Sequence, residues 1–124
     1  MYFETLALEV NAKIAGLEVS KPATLKGKSG TTHRFTFLAL EGPSSFGFDI
    51  CAQVGEVEIL RAFVKKLDTG AECMIVSLSG RPNEEAAKMA SLYDVKILGP
   101  GDVGNFFSGR IAKQIQTQGR RLAR

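Results

Sequence analysis

The sequence is poor in the residues that metal centres and nucleophilic active sites commonly use. Its 124 residues include one histidine, His33, and two cysteines, Cys51 and Cys73. A single histidine excludes a cluster of histidine ligands, and it excludes a conventional Ser-His-Asp triad unless His33 acts alone. Each cysteine lies in an apolar run without a second thiol or a histidine at metal-ligand spacing. We therefore predict two buried thiols in a reducing compartment, with a disulfide only if their strands are neighbours.

Long apolar stretches and a basic leader are also missing. No apolar run approaches the roughly 20 residues that cross a bilayer. The first residues include Glu4 and Glu9 where a signal peptide would carry positive charge. The sequence therefore predicts a soluble, cytoplasmic protein with no membrane partner. With 44% hydrophobic residues, the chain is long enough for one domain with a core and too short for two.

Positive charge is concentrated near the C-terminus. The formal net charge is +3, and no acidic residue follows Asp102. The basic residues after that position are Arg110, Lys113, Arg120, Arg121 and Arg124. Such a segment is suited to binding phosphate groups, and its charge fits a solvated chain end equally well. We expect residues 104–124 to form a basic helix and tail of the same domain as residues 1–103.

Hydrophobic periodicity in the first half predicts a helix followed by strands. One face of the helix is expected to carry Phe3, Leu6, Ala7, Val10 and Ile14. Residues 17–25 are short apolar pieces broken by Pro22, which is typical of an edge strand. Residues 33–40 and 46–53 alternate between apolar and polar around a short turn. We expect these two strands to pair as an antiparallel hairpin.

The second half predicts helices that alternate with buried strands. A helix over residues 55–67 is expected to pack one apolar face on the sheet, formed by Val57, Leu60, Val64 and Leu67 with Ile59 and Phe63 beside them. Strands are expected at 73–76 and 95–98, with a helix between them that begins near residues 81–85. Helical crossovers make such strands parallel, so we predict an α/β domain with a mixed central sheet flanked by helices.

A last helix is expected to begin at Asp102, whose side chain would cap it. Four apolar residues lie close to one face of this helix, in a stripe suited to the core or to a dimer contact: Phe106, Phe107, Ile111 and Ile115.

Several short motifs occur in a recognisable order along the chain. They are Phe3-Glu4, Gly16-Leu17-Glu18-Val19, the turn Gly27-Lys28-Ser29-Gly30-Thr31-Thr32-His33, Ile75-Val76-Ser77, the alanine-rich stretch from Glu85 to Ala90, and Val95-Lys96-Ile97-Leu98. Together with the element order, they resemble the restriction-endonuclease-like superfamily, particularly its small Mrr-type and archaeal members. The resemblance covers the chain up to about Val103 and implies a restriction-endonuclease-like core.

The resemblance also implies where a nuclease site would lie. Members of that superfamily place an aspartate on the first hairpin strand and a Glu-x-Lys motif on the second, to hold Mg²⁺ and activate water. The corresponding positions here are Thr36, Ile50 and Ala52, which supply neither carboxylate nor lysine. Shifting the second strand by one residue places Asp49 at the acid position and Cys51 at the lysine position. We expect no catalytic residue and no metal, with Mg²⁺ only if a site has been rebuilt elsewhere.

The turn before the first hairpin strand is the second candidate binding element. It combines positive charge with hydroxyl and backbone donors: Lys26, Lys28, Ser29, Thr31, Thr32, His33 and Arg34. Such a loop is suited to a nucleic-acid backbone, which gives salt-dependent affinity with little sequence reading. The alternatives are a solvated loop and, for His33, a role in organising the turn.

The sequence and the resemblance together predict a catalytically inactive nuclease-fold protein. It would bind DNA or RNA through this loop and the basic C-terminal helix, and it would act as a homodimer. Two alternatives remain. One is a protein-interaction subunit that pairs with an active nuclease or another DNA-processing partner. The other is an active metal-dependent nuclease that uses Glu4, Glu41 or Asp49.

Overall fold

A five-stranded mixed sheet forms the centre of the protein. The computed structural model describes residues 2–99 and 101–107, with side chains from residue 6 onward. The elements are α1 (Tyr2–Ile14), β1 (Glu18–Val19), β2 (Thr24–Lys26), β3 (Thr32–Arg34), β4 (Phe37–Glu41), β5 (Ser44–Cys51), α2 (Glu56–Thr69), β6 (Glu72–Ser77), α3 (Glu84–Leu92) and β7 (Lys96–Leu98). Residues 102–107 are also helical. No helix of the described residues is long and apolar enough to cross a membrane.

The strand order of the sheet is β1-β4-β5-β6-β7. β4 and β5 form an antiparallel hairpin around Gly42, whose φ of 57° suits the tight turn. β5, β6 and β7 run parallel because α2 and α3 cross between them. The predicted α/β class, the hairpin and the parallel later strands are confirmed.

Each face of the sheet is covered by two helical segments. α1 and residues 102–107 pack on one face, around Phe48, which is fully buried. The ring centroid of Phe48 lies 5.8 Å from those of Phe37, Phe106 and Phe107. α2 and α3 pack on the other face through Ile59, Ala62, Ala86 and Ala90. Because side chains alternate along β5, Asp49 faces the α2 layer while its neighbour Phe48 faces α1.

The strand predicted over residues 33–40 is wrong in one respect, because two strands occupy it. β3 pairs with β2 in a separate two-stranded hairpin, and β4 joins the main sheet. The break falls at Phe35 and Thr36, where the buried Phe35 ring lies against Gly47 of β5. The chain therefore leaves one sheet and enters the other at an anchored aromatic side chain. The predicted edge strand over 17–25 is divided likewise, into β1 at the sheet edge and β2.

The predicted packing face of α2 is also wrong. Val57, Leu60, Val64 and Leu67 were expected against the sheet, but their side chains are 42–60% exposed. The helix instead buries Ile59 and Ala62. Lys65 fits this orientation, because its ammonium group binds Asp49 on β5 and directs that face of α2 towards the sheet.

The apolar residues of α1 also include an exposed row and a buried row. Leu6, Val10 and Ile14 are 45–69% exposed, whereas Leu8 and Ala12 are buried. Small residues such as Ala12 allow the helix axis to approach the sheet closely.

The two cysteines do not lie side by side. Cys73 is buried, as predicted, and lies opposite Gly47, four residues from Cys51 along β5. Cys51 is only partly buried, and both thiols are free.

Replacing Gly47 by alanine should destabilise the fold. A Cβ at this position would overlap the ring of Phe35, which is buried and has little room to move. We expect a loss of about 1–3 kcal/mol in the free energy of unfolding, measured by urea denaturation. Gly104→Ala is the matched control, because a Cβ there meets no described atom within 4 Å. Equal stability of the two variants would contradict this account of the break between β3 and β4.

Candidate nucleic-acid interface

The hairpin formed by β2 and β3 presents the predicted binding loop beside α2. Leu25 pairs with His33 in the hairpin, and both side chains are partly buried. Lys26 and Arg34 occupy alternate positions and are exposed, as is Lys28 in the turn. These three cationic side chains form no ion pair with another described residue. The hairpin therefore carries its positive charge on the solvent side.

One carboxylate, that of Asp68 near the end of α2, fixes the turn of the hairpin. The backbone N–H of Ser29 donates to Asp68 Oδ1 at 2.8 Å, and the Ser29 hydroxyl donates to Oδ2 at 2.7 Å. His33 Nε2 lies 2.7 Å from the same Oδ2. The backbone N–H of Lys28 donates to the Asp68 carbonyl at 2.8 Å. The turn is thus joined to α2 by four polar contacts with a single residue.

Close packing of Gly27 completes this junction. A Cβ on Gly27 would overlap the Asp68 carboxyl group. The glycine therefore lets the hairpin backbone approach the carboxylate, which a larger residue would displace.

Hydrogen bonds from Ser29 and then from His33 lower the pKa of Asp68 to about 2. The carboxylate is therefore ionised at neutral pH and can only accept hydrogen bonds, so the Nε2–H of His33 donates to it. Ser29, His33 and Asp68 are the residue types of a hydrolytic triad, but Asp68 lies between the other two. The Ser29 hydroxyl donates to the carboxylate and has no base to activate it. The three residues therefore stabilise a loop. The Ser29 hydroxyl and the Nε2 atom of His33 are both engaged in hydrogen bonds within the protein.

A groove runs between the hairpin and α2. It is lined on α2 by the aliphatic residues Val57, Leu60 and Val64 and by Arg61. His33 and Lys65 complete the lining, and the volume is about 330 Å³. The positive surface of the hairpin therefore continues onto α2 through Arg61, a residue that the sequence interpretation did not select.

A second cleft lies where the resemblance implied a nuclease site. Thr36 and Ile50 are adjacent there, because the Ile50 N–H donates to Thr36 Oγ1 at 3.2 Å. The Thr36 N–H donates to Asp49 Oδ1 at 3.1 Å. Ala52 lies beyond the end of β5 and is exposed. The structure therefore brings two of the three implied positions together, with Asp49 beside them.

Lys65 supplies a lysine to this cleft from α2. Its Nζ lies 2.8 Å from Asp49 Oδ2, donates to the Arg34 carbonyl at 2.6 Å, and sits 4.9 Å from the centre of the Phe35 ring. The side chain is only 18% exposed. Lys65 was not predicted, because the Glu-x-Lys motif places the lysine two residues after the acid on the same strand. An isolated lysine in a helix gives no signal that it will reach a distant carboxylate.

Glu58, Arg61 and Cys51 also line this cleft, whose volume is about 220 Å³. Burial raises the pKa of the Cys51 thiol, and it raises that of Cys73 to about 11, so neither is an activated thiolate.

Metal ligands are sparse around Asp49. Both of its oxygens already accept hydrogen bonds, one from Thr36 and one from Lys65. Within residues 6–99 and 101–107, no group of three or more His, Cys, Asp or Glu side chains is placed to hold a metal ion. Glu41 lies at the opposite end of β4 from Thr36, and the Glu4 side chain lies outside the described part.

The C-terminal part of the predicted interface lies outside the described residues. This applies to Ile111, Ile115 and the basic residues Arg110, Lys113, Arg120, Arg121 and Arg124. At the start of this segment, the Asp102 carboxylate accepts a hydrogen bond from the Gly99 N–H at 2.8 Å, three residues earlier. Asp102 is the first residue of the helical segment 102–107, so this bond ties the preceding turn to the start of the helix and is not the predicted cap, in which the Asp102 side chain would accept from an N–H inside the first turn.

The fold has a counterpart among solved structures. The crystal structure of a protein of unknown function, AF1548, superposes with a TM-score of 0.64 at 17% sequence identity. The match covers 79% of this chain, which spans 57% of the length of that one. At this identity the likeness shows a shared fold alone. No protein-family model and no curated protein sequence matches the chain.

Replacing Asp68 by asparagine should loosen the hairpin in a pH-dependent way. The folded pKa of about 2 lies below the ordinary value of 3.8, so the stabilising contribution is complete above pH 3.8 and is lost as pH falls towards 2. We expect wild type to exceed Asp68→Asn in free energy of unfolding at pH 6, and the difference to vanish near pH 2. Urea denaturation across this range measures it.

Asp94→Asn is the matched control for that titration, because the Asp94 side chain is 96% exposed. Asparagine also tolerates the left-handed backbone found at Asp94, where φ is 56°. A difference between wild type and Asp68→Asn that does not change with pH would contradict the role of the ionised carboxylate.

Proposed function

We propose that this protein binds the phosphate backbone of DNA or RNA and does not cut it. The observation that carries the proposal is the anchored hairpin, which holds Lys26, Lys28 and Arg34 exposed on one rigid element. Because Asp68 fixes the turn, less conformational entropy is lost when these side chains bind phosphates. Arg61 extends the positive surface along α2.

The basic C-terminal segment belongs to the same proposal. Its five cationic residues, which lie outside the described structure, would add phosphate contacts that need no fixed geometry. The exposed cations of the hairpin are two lysines and an arginine, which can pair with phosphate oxygens whatever the base sequence. We therefore propose backbone contacts with little base readout, in a protein that acts in the cytoplasm. The restriction-endonuclease-like resemblance is consistent with this role and is part of the proposal.

The residues at the implied nuclease site support the proposal that the protein does not cut nucleic acid. Thr36 and Ile50 supply no carboxylate to the cleft, and Asp49 is bonded to Lys65. A lysine that neutralises the acid directly competes with a cation for the same oxygen.

Lys28→Ala and Arg34→Ala should weaken nucleic-acid binding. Each substitution removes a cation that would replace counterions condensed on the nucleic acid, so the affinity should fall severalfold. The binding constant should also depend less steeply on salt: the magnitude of the slope of its logarithm against the logarithm of the salt concentration should fall by about 1 per variant. Fluorescence anisotropy with labelled single strands and duplexes, between low and moderate salt, measures both quantities. Lys88→Ala is the control, since Lys88 lies on α3 and pairs with Glu84. Absence of binding to either nucleic acid at low salt would refute the proposal.

A metal-dependent nuclease is the second candidate function. It is favoured by the presence of Asp49, Glu58 and Lys65 around one cleft, because two carboxylates and a lysine are the residue types of metal-assisted phosphodiester cleavage. For this to occur, Asp49 must exchange its bond to Lys65 for a bond to Mg²⁺.

This candidate has a direct test. Cleavage of plasmid or single-stranded substrate that requires Mg²⁺ or Mn²⁺ and is abolished by Asp49→Ala would establish it. Under the main proposal we expect no cleavage by wild type with either ion. Glu84→Ala on the surface of α3 is the control, since it removes an exposed carboxylate that does not line the cleft.

A further inference from the structure

The outer face of α2 is an aliphatic row exposed to solvent. Val57, Leu60, Val64 and Leu67, hereafter the outer seam, are 56%, 42%, 54% and 60% exposed. They recur at intervals of three, four and three residues, which is the spacing of the a and d positions of a heptad. An amphipathic helix normally turns such a row inward. Here the row stays about half exposed among the described residues, with Val57, Leu60 and Val64 along the groove beside the hairpin, while α2 packs on the sheet through Ile59 and Ala62.

The order of residue types within the outer seam is specific. Valine occupies both a positions and leucine both d positions. β-Branched residues at a with leucine at d favour two parallel helices, because each shape fits the hole offered by the facing helix. The outer seam therefore has the composition of half of a parallel two-helix contact.

The charges beside the outer seam fit the same arrangement. With Val57 at a, Glu56 occupies a g position and Arg61 the following e position. Five residues along a helix correspond to a rotation of about 140°, so the two side chains lie on opposite flanks of one helix. In a parallel pair, a g residue faces the e residue five positions later on the other helix. Glu56 of each copy would then face Arg61 of the other.

We propose that the outer seam binds a second copy of this chain, with the two α2 helices parallel and two Glu56–Arg61 ion pairs across the dimer axis. Glu56 and Arg61 are both exposed and are available for these contacts. The next g residue is Phe63 and the next e residue is Asp68. Both are already engaged within the protomer, because Phe63 stacks on Tyr93 and Asp68 holds the hairpin. The charge pairing is therefore set by Glu56 and Arg61.

An antiparallel pair fits less well. A register that matches Val57 with Leu67 and Leu60 with Val64 brings the two copies of Arg61 together, because e positions face e positions in that arrangement. Like charges at the centre of a short seam oppose association. The parallel arrangement buries the same aliphatic residues and replaces this repulsion with two attractions.

Charge reversal and its compensation test this proposal. Sedimentation equilibrium without nucleic acid, from about 1 to 500 µM because a short seam binds weakly, should show the mass of wild type rising from 13.4 kDa towards twice that value. Glu56→Arg and Arg61→Glu should each weaken association by about tenfold, since each creates two like-charge contacts. The double variant E56R/R61E should return to within about twofold of wild type.

The compensation is specific to two copies in parallel, because Glu56 and Arg61 do not face each other within one helix. Glu84→Arg and Lys88→Glu on α3 are the matched controls, since they change the net charge by the same amounts and should leave association unchanged. Leu60→Asp should abolish association while circular dichroism shows an intact fold.

Three outcomes would overturn the proposal: a wild-type mass of 13.4 kDa at every concentration, single reversals without effect, or a double variant as weak as the single ones. If wild type stays monomeric and Leu60→Asp loses nucleic-acid binding, the outer seam binds nucleic acid, and the dimer is refuted. Because the mass is measured without nucleic acid, failure of the dimer leaves the proposed binding function untouched.

Discussion

The ammonium group of Lys65 lies at the junction of the sheet, the hairpin and α2. It pairs with Asp49 on β5 and donates a hydrogen bond to the carbonyl of Arg34 at the end of β3. Its charge lies over the Phe35 ring, where the chain passes from one sheet to the other. With Lys65 and Asp49 only 18% and 25% exposed, loss of either would leave a poorly solvated charge. The pair therefore fixes the rotation of α2 about its own axis.

The rotation of α2 determines which of its side chains meet the hairpin and which face solvent. With Lys65 directed at the sheet, Asp68 is brought next to the hairpin turn, and the aliphatic row of α2 is directed at solvent. One helix thus anchors the basic loop along one flank and leaves the outer seam free. A helix turned to bury Val57 and Leu60 would move Asp68 away from Ser29 and release the loop.

The sequence was sufficient for the helices and the main hairpin, but it did not separate β1 from β2 or β3 from β4, and it did not predict the direction in which α2 faces. Periodicity located α2 and the β4–β5 hairpin, and helical crossovers predicted the parallel strands. It failed at Val57 and Leu67, because an apolar row identifies a helix face without saying what covers it. The pairs Lys65–Asp49 and His33–Asp68 join residues 16 and 35 positions apart, and no local pattern encodes such contacts. The sequence therefore located the contiguous turn that belongs to the candidate interface, and it missed the residues that reach the candidate interface only through tertiary contacts.

Arg61 connects the two surfaces of α2. It lines the groove together with His33, where it could contact phosphate, and it flanks the outer seam opposite the position of Glu56. A guanidinium paired with a carboxylate across a dimer attracts a phosphate less strongly than an unpaired one, because the two anions compete for the same donors. In a dimer, binding would therefore depend mainly on Lys26, Lys28 and Arg34. Asp68, and not the seam, holds the hairpin that carries these side chains, so self-association and backbone binding can coexist on neighbouring flanks of one helix.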